Sequence, residues 1–379
     1  MLLRHSASLL DIAQATAVGM QTLALWVSVA PGADPAWQDD VAAAAVQQQV
    51  CFAPRNEADF QRWAERDSSP RQIVTLMARE VTAEQVQRVC ALMTELGMQI
   101  EAINRLSDLP GLGQPTSLSR ACLEFTLTGG PSDLADVRGR FLALATELGI
   151  DLGVQQDSLW RRHRRLAVFD MDSTLIEAEV IDELAKAHGV GERVSAITER
   201  AMRGELDFRA SFKERLALLK GLDVGVLDAI GASLRLTEGT EALFAELKRL
   251  GYKTAILSGG FTWFARQLQA RLGIDYVFAN ELEVIDGQCT GVAIEPIVDA
   301  QRKADLLVEL ARKEGLTLEQ TLAVGDGAND LPMLAIAGMG VAFRAKPLVR
   351  QSAQQAISTL GLDGVLYLLG VHDRDRGAP

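Results

Sequence analysis

The sequence predicts an α/β protein: a doubly wound parallel sheet with a helical insertion, preceded by a smaller domain of order βαββαβ. Three observations carry this expectation. From Leu166 to Ile357, short apolar runs alternate with helical patterns, which is the rhythm of a parallel sheet covered by helices. Two of these runs, Leu166-Ala167-Val168-Phe169 and Thr321-Leu322-Ala323-Val324, lead straight into acidic loops. Between residues 72 and 157 strand and helix signals follow in the order βαββαβ. A chain of 379 residues with 48% hydrophobic content has room for two or three domains, each with its own core.

Residues 1–71 read as a small α/β lobe, with a degenerate ACT-like domain as the alternative. Leu23 to Val29 has strand character. Asp34-Pro35 starts a helix that runs through the alanines at 42–45. Val50-Cys51-Phe52 reads as another strand and Asn56 to Arg66 as a helix. Arg4 and His5 are followed by no clean apolar stretch, because Asp11 and Gln14 interrupt it, so no signal peptide is expected. No apolar run reaches the ~20 residues that a membrane span needs.

Residues 72–157 are clearer. Ile73-Val74-Thr75-Leu76-Met77 is a strand. Thr82 with Gln85 has the capping-box pattern; Val86, Val89, Cys90 and Met93 follow at helical spacing, and Gly97 ends the helix. Strands near Ile100–Arg105 and Cys122–Leu127 come next, then a break at Gly129-Gly130-Pro131. Leu134, Val137, Phe141 and Leu144 mark a second helix, stopped by Gly149, and a last strand lies near Leu152–Gln155. Thr94-Glu95-Leu96-Gly97 recurs as Thr146-Glu147-Leu148-Gly149, a weak internal repeat. This element order resembles an ACT-type domain, a ferredoxin-like regulatory module. Where ligand-binding ACT domains often carry an acidic and glycine-rich turn after the first strand, this chain has Ala78-Arg79-Glu80.

The basic run Arg161-Arg162-His163-Arg164-Arg165 is expected to be a solvated linker face; the alternative is an inter-domain or subunit contact. Residues 158–379 form the third region. Within it, the stretch from about 177 to 235 is helical only, and an insertion after the first strand would sit over the strand ends as a lid. Asp286-Gly287 marks a hairpin turn between two short strands.

The net charge of −12 argues against non-specific nucleic-acid or anionic-membrane binding, so an anionic substrate would have to be held by local cations. Cys51, Cys90, Cys122 and Cys289 show no C-x-x-C spacing and read as small core residues in a reducing compartment, and the scattered histidines disfavour zinc. The expected location is the cytoplasm.

The chemistry-bearing residues sit at the strand ends. Asp170 and Asp172 are two residues apart and each disfavours ionisation of the other unless a cation is near. A carboxylate in the position of Asp170 can attack phosphorus, turning one hard hydrolysis into two easier steps. Asp172 is placed as general acid and then general base, and its main-chain carbonyl can face a metal. Asp326 is the natural third ligand, and Mg²⁺ fits such a set best. Asp330 and Asn329 open the next helix, Asp330 orienting ligands from behind. Ser258, with Gly259-Gly260 after it, closes another strand and can hold phosphate oxygens; Lys303 can supply positive charge to the transition state.

Asp170–Thr174, Ser258, Lys303 and Gly325–Asp330 resemble, in order, the four motifs of the haloacid dehalogenase superfamily. Within it, Phe169–Leu175, Ser258-Gly259-Gly260-Phe261, Phe278-Ala279-Asn280 and Ala323–Asp330 resemble the phosphoserine phosphatase family over about residues 166–371. The resemblance implies a Rossmann-like core with a four-helix cap. It implies Mg²⁺-dependent hydrolysis of O-phospho-L-serine through a phosphoaspartate, the last step of serine biosynthesis. It also implies that Glu179 takes the substrate amine and Arg215 its carboxylate, that Met202 and Phe208 shield it from water, and that Gly259 and Asn329 join Ser258 and Lys303 in binding it. The expected partners are this small phosphorylated amino acid and a second copy of the chain, held through the N-terminal region. Two other readings remain: a related phosphatase or phosphotransferase for another small phosphomonoester, or an amino-acid-sensing regulatory protein.

Overall fold

The computed structural model describes residues 7–17, 20–30, 32, 36–44, 56–67, 70–109, 119–203 and 205–377. They fall into two compact units, Met1–Ser68 and Ser69–Pro379.

In the first unit, strands β1 (Ser8–Ala17) and β2 (Met20–Ser28) pair antiparallel, and helices α1 (Ala36–Ala44) and α2 (Glu57–Asp67) follow. Trp26 of β2 packs its ring against Phe60 and Trp63 of α2 at 5.5 and 5.4 Å between centroids. The sequence pattern missed β1: Asp11 and Gln14 break its apolar alternation, and the register shifts between Leu9 and Asp11. The strand expected at Val50-Cys51-Phe52 lies outside the described residues, as does Cys51 itself.

The second unit begins with an antiparallel sheet of β3 (Gln72–Ala78), β4 (Met98–Arg105), β5 (Ala121–Gly129) and β6 (Asp151–Gln156), in spatial order β4-β5-β3-β6. Helices α3 (Ala83–Glu95) and α4 (Leu134–Leu148) complete the βαββαβ order. Thr82 and Gln85 close the capping box, Thr82 Oγ1 accepting from the Gln85 amide at 3.2 Å and Gln85 Oε1 from the Thr82 amide at 2.9 Å. Gly149 ends α4 with φ 63°, the left-handed conformation glycine favours.

One face of this sheet packs on its own helices through Val74, Leu76, Phe125, Leu127, Val137 and Phe141. The other face is covered too: Met77, Cys122 and Leu106 join the main core of the following domain. An antiparallel sheet with both faces buried explains why Ile73 to Met77 is apolar without clear alternation, and every residue of β3 is buried.

The larger domain has a six-stranded parallel sheet in the order β14-β13-β12-β7-β8-β9. Its strands are β7 (Leu166–Phe169), β8 (Lys253–Phe261), β9 (Tyr276–Asn280), β12 (Thr321–Gly325), β13 (Met339–Phe343) and β14 (Gln355–Ile357). A separate hairpin, β10 (Leu282–Ile285) and β11 (Gln288–Ala293), turns at Asp286 and Gly287, whose φ values are 51° and 77°. After β7 the chain inserts four cap helices: α5 (Val180–Ala187), α6 (Gly191–Met202), α7 (Phe208–Ala217) and α8 (Val226–Ser233). The core helices are α9 (Thr240–Arg249), α10 (Thr262–Leu272), α11 (Ala300–Lys313), α12 (Leu331–Ile336), α13 (Pro347–Ser352) and α14 (Val365–Leu368). No helix among the described residues is long and apolar enough to cross a membrane.

The basic run is a solvated face only in part: Arg162 and His163 are exposed, but two of its arginines are not. Arg161 and Arg164 are 1% and 5% exposed. Arg161 forms a buried ion pair with Glu124 of β5, and Arg164 donates to the Arg161 and Gly338 carbonyls at 2.8 and 3.2 Å. The charge count was read correctly, but its partner lies on a strand 37 residues earlier and only the tertiary fold brings it near. More bonds cross the same seam. Gln355 of β14 bonds the amide and carbonyl of Val154 at 3.0 and 2.8 Å, and Asp151 accepts from the Ser358 and Thr359 amides at 2.8 Å each. Arg79 meets Glu238 with both terminal nitrogens, each at 2.7 Å, and Arg344 joins the same carboxylate at 3.0 Å. Cys122 and Cys289 are buried, as the cysteine count suggests, and Cys90 is half-buried.

Candidate active site

The crevice forms where β7 and β12 run side by side and end together, at the carboxyl edge of the parallel sheet. β7 is buried along its whole length, so the first polar residue after it, Asp170, is held at the sheet edge. Its amide donates to the Val324 carbonyl at 2.9 Å, continuing the ladder, and its Oδ1 accepts from the Met171 amide at 2.7 Å. Thr174, Leu175 and Ile176 amides all donate to the Met171 carbonyl, which turns the chain back tightly. Ser173 sits in this turn with φ 56°, a conformation uncommon for a residue with a side chain.

Ligand oxygens of Asp170, Asp326 and Asp330 lie within 4.8 Å of one another. Lys303, fully buried at the start of α11, bridges two of them: its Nζ is 2.9 Å from Asp170 Oδ1 and 2.7 Å from Asp330 Oδ1. Asp330 Oδ2 accepts from the Gly327 amide at 2.9 Å, so both its oxygens are engaged. Thr174 Oγ1 donates to Asp326 Oδ1 at 2.9 Å. Gly325 is required by contact: a Cβ there would meet Asp330 Cγ at 2.4 Å.

Crowding shows in the protonation. Burial, then the charges of Asp170 and Asp330, push Asp326 up to about 8. Burial and Asp170 push Asp330 up to about 7 against the pull of Lys303. For Lys303 burial works downward, but Asp170 and Asp330 more than offset it and hold the ammonium above its ordinary value. An all-oxygen donor set this close, with negative charge exceeding what Lys303 can balance, fits a hard divalent cation.

Asp172 faces the same space. Burial first, then Glu179 and Asp170, hold its carboxyl well above the ordinary range, and its Oδ1 is buried with no hydrogen-bond partner. Gly260 is forced here too, since a Cβ would lie 2.7 Å from Asp172 Oδ2. Ser258 does not close its strand, since β8 runs on to Phe261 with a register shift after Leu257; it is fully buried and its Oγ accepts from the Gly260 amide at 2.9 Å. Asn280 positions this loop: its Nδ2 donates to the Gly259 carbonyl at 2.8 Å while its Oδ1 accepts from the Val298 amide at 2.8 Å.

A cavity of about 610 Å³ opens above these groups and is roofed by the cap. Asp170, Asp172, Glu179, Phe208, Arg215, Ser258, Gly259, Asp326 and Asn329 all line it. Met202 ends α6; its side chain lies outside the described residues. Glu179 stays open to solvent at the cavity mouth, yet its carboxylate is crowded enough that burial raises its pKa, opposed by the hydrogen bond from Ser173 Oγ at 2.7 Å. Burial lowers Arg215, with Asp182 and Glu179 pulling the other way.

Sequence reasoning missed several residues of this cavity. Asp182, Ser211 and Thr198 come from cap helices, Leu348 and Val349 come from α13, and Lys346 lies just before it. Asp182 carries the one available signal, lying three residues after Glu179, near enough to share a helix face. Nothing in the sequence around a helix of only six residues marks the α13 group.

A sequence profile of haloacid dehalogenase-like hydrolases matches residues 167–335, and one of ACT domains matches residues 71–155. The phosphoserine phosphatase SerB2 of Mycobacterium tuberculosis is 39% identical over 376 residues, covering 98% of this chain and 88% of that protein. The structure of a probable phosphoserine phosphatase from Vibrio cholerae in unliganded form superposes with a TM-score of 0.63 at 34% identity, covering 83% of this chain and 93% of that one. A phospho-aspartyl intermediate analogue of phosphoserine phosphatase superposes at 0.51 with 41% identity, covering 54% of this chain and 98% of that one. With the four motifs converging on one crevice beneath a helical cap, the chain belongs to the phosphoserine phosphatases of the haloacid dehalogenase-like hydrolase family, and it is a phosphatase.

Proposed function

We propose that this chain hydrolyses O-phospho-L-serine to L-serine and phosphate through a phosphoaspartate on Asp170, as the final step of serine biosynthesis in the cytoplasm. The observation that carries the reading is the placement of Asp170 between Lys303 and the acidic loop of β12, beneath a cavity that also holds Glu179 and Arg215. The cavity offers a cation for a carboxylate and an acid for an amine above a phosphate-sized crevice, and those are the three charged groups of phosphoserine.

In the first step an Asp170 oxygen attacks phosphorus and the bond to the serine oxygen breaks. Asp172, whose surroundings favour the protonated form, gives its proton to the leaving alkoxide. Asp172 then takes a proton from water, which attacks the phosphoaspartate and frees phosphate and Asp170. Ser258 Oγ, the Gly259 and Asn329 region and Lys303 hold the phosphoryl oxygens. Asp170, Asp326 and the Asp172 main-chain carbonyl would hold Mg²⁺, which when bound offsets the charge developing on the phosphoryl group. Asp330, engaged with Lys303 and the Gly327 amide, positions these groups from behind. Phe208 closes the cavity against water, a task that the family resemblance also gives to Met202.

Three regions divide this work: a lobe at 1–71, the ACT-like domain at 72–157 and the phosphatase at 158–379 with its cap at about 177–235. Exposed apolar side chains of the first hairpin, among them Leu9, Ile12 and Leu23, support a homodimer through the N-terminal region.

The test is a panel of phosphomonoesters with an acid-quench assay for phosphoenzyme. Phosphoserine should exceed phosphothreonine, phosphoethanolamine and glycerol phosphate by roughly a hundredfold or more in kcat/KM. Asp170→Asn should lower kcat at least roughly a thousandfold and leave no labelled protein. A flat panel would reject the substrate; labelled Asp170→Asn protein would reject the nucleophile.

A further inference from the structure

A second cavity, of about 580 Å³, lies at the seam between the ACT-like domain and the phosphatase core. Its walls are α4 with the edge strand β6 on one side and α13 with the approach to β14 on the other. Its volume matches that of ordinary small-molecule sites.

Its charge is unlike that of the rest of the chain. Arg138 and Arg350 both line it, and no Asp or Glu does. Among the described residues neither guanidinium has an ion-pair partner. Arg138 makes one long hydrogen bond, Nε to the Val154 carbonyl at 3.4 Å, and Arg350 Nε is buried with no hydrogen-bond partner. A protein of net charge −12 has acids to spare for every arginine, and elsewhere along this seam it uses them: Arg161 meets Glu124 and Arg79 meets Glu238. Two arginines left facing a cavity, with hydroxyl and amide groups of Thr146 and Gln351 and the apolar walls of Leu142 and Leu152, are complementary to a small anion with a short hydrocarbon body.

The cavity also shares a wall with the active site. Pro347, Arg350 and Gln351 of α13 line the seam cavity, while Leu348 and Val349 of the same helix, with Lys346 just before it, line the catalytic one. A ligand that draws Arg350 toward itself pulls on a helix of one and a half turns whose other side bounds the substrate space.

We propose that this seam cavity is an effector site for a small carboxylate- or phosphate-bearing metabolite, read at the catalytic cavity through α13. Because α13 meets the substrate cavity through Leu348 and Val349, which carry no group for the chemistry, occupancy should change KM rather than kcat.

The test is calorimetric titration of the full chain with malonate and, separately, inorganic sulfate, at ionic strength matched with chloride. Each anion is also followed by its effect on phosphatase kinetics. Two variants accompany the wild type. Arg350→Ala removes one cation. Gly139→Asp adds an acid to the cavity wall at a position where a Cβ meets nothing within 4 Å, so it needs no repacking. One anion should bind the wild type at least about tenfold more tightly than either variant and should shift KM at least twofold in the wild type alone. Competition by sulfate in the catalytic crevice would persist in all three proteins and so is separable. A malonate response identifies a carboxylate ligand, a sulfate response a phosphate ligand. Equal affinity of both anions for wild type and both variants would overturn the site; variant-sensitive binding without a KM shift would overturn the coupling through α13.

Discussion

Two places in the molecule bury charge in opposite ways. Along the domain seam, the two arginines of its cavity apart, the charges are matched: Arg161 with Glu124, Arg79 and Arg344 with Glu238, Arg120 and Arg376 with Asp363. In the crevice they are not. Asp170, Asp172, Asp326 and Asp330 crowd around one buried lysine, and one oxygen of Asp172 has no partner at all. A matched set holds two domains in register and has nothing left to do. An unmatched set is a standing demand for a cation and a proton, and it is costly until both arrive. Imbalance of buried charge therefore separates the part of this protein that reacts from the part that fastens.

Four experiments would break or sharpen that contrast. The largest effect is expected from Lys303→Met. It deprives Asp170 and Asp330 of their common partner, so activity should fall at least roughly a thousandfold. Stability without added metal should change less than the usual ~3–5 kcal/mol for breaking a buried pair, because Asp330 can take up a proton. Activity within tenfold of wild type would show that the crevice is not organised around this lysine.

Arg161→Ala comes next and should behave in the reverse sense. It strands Glu124 in the seam, and unfolding by denaturant should show a loss of about 3–5 kcal/mol with kcat nearly unchanged. A large kcat loss in well-folded Arg161→Ala protein would mean that the seam is more than a fastening.

Arg215→Ala tests selectivity within the crevice. kcat/KM for phosphoserine should drop roughly a hundredfold while an aryl phosphate, which offers no carboxylate, loses less than about threefold. Equal losses on both substrates would remove Arg215 from substrate recognition.

The smallest effect concerns Asp151. Burial holds its carboxyl above the ordinary value of 3.8, opposed by hydrogen bonds from the Thr359 and Ser358 amides. The folded state therefore keeps this proton to higher pH than the unfolded chain does. Its contribution is full below the unfolded value and declines as pH rises through the folded one. Urea titrations from pH 3 upward should show wild type losing stability relative to Asp151→Asn across that window. An unchanging difference between the two proteins would contradict it.

The crevice was largely legible in the sequence because its rule is local. An apolar run that ends in a carboxylate marks a strand end, and Asp170 and Asp326 both follow that rule. Glu179 and Arg215 were reachable only by resemblance, since an acid or an arginine on a helix looks the same whether it faces water or a substrate. The seam was much less legible. Nothing near Arg161 announces Glu124, and nothing near Pro347 announces that a six-residue helix will bound two cavities. β1 was missed for a different reason: polar residues that break an alternating pattern are tolerated in a two-stranded hairpin, where much of the surface stays in water.

The covered face of the ACT-like sheet has a consequence for how the chain is made. Val154 is held by Gln355, 201 residues later, and a Cβ on Gly153 would strike Leu368 at 2.5 Å. A ribosome adding ~5–20 residues per second needs roughly 10–40 seconds to span that interval. Through all of it the sheet has one greasy side bare to water, waiting for its cover. Nascent chains stalled before residue 355 should therefore be the ones that chaperones hold.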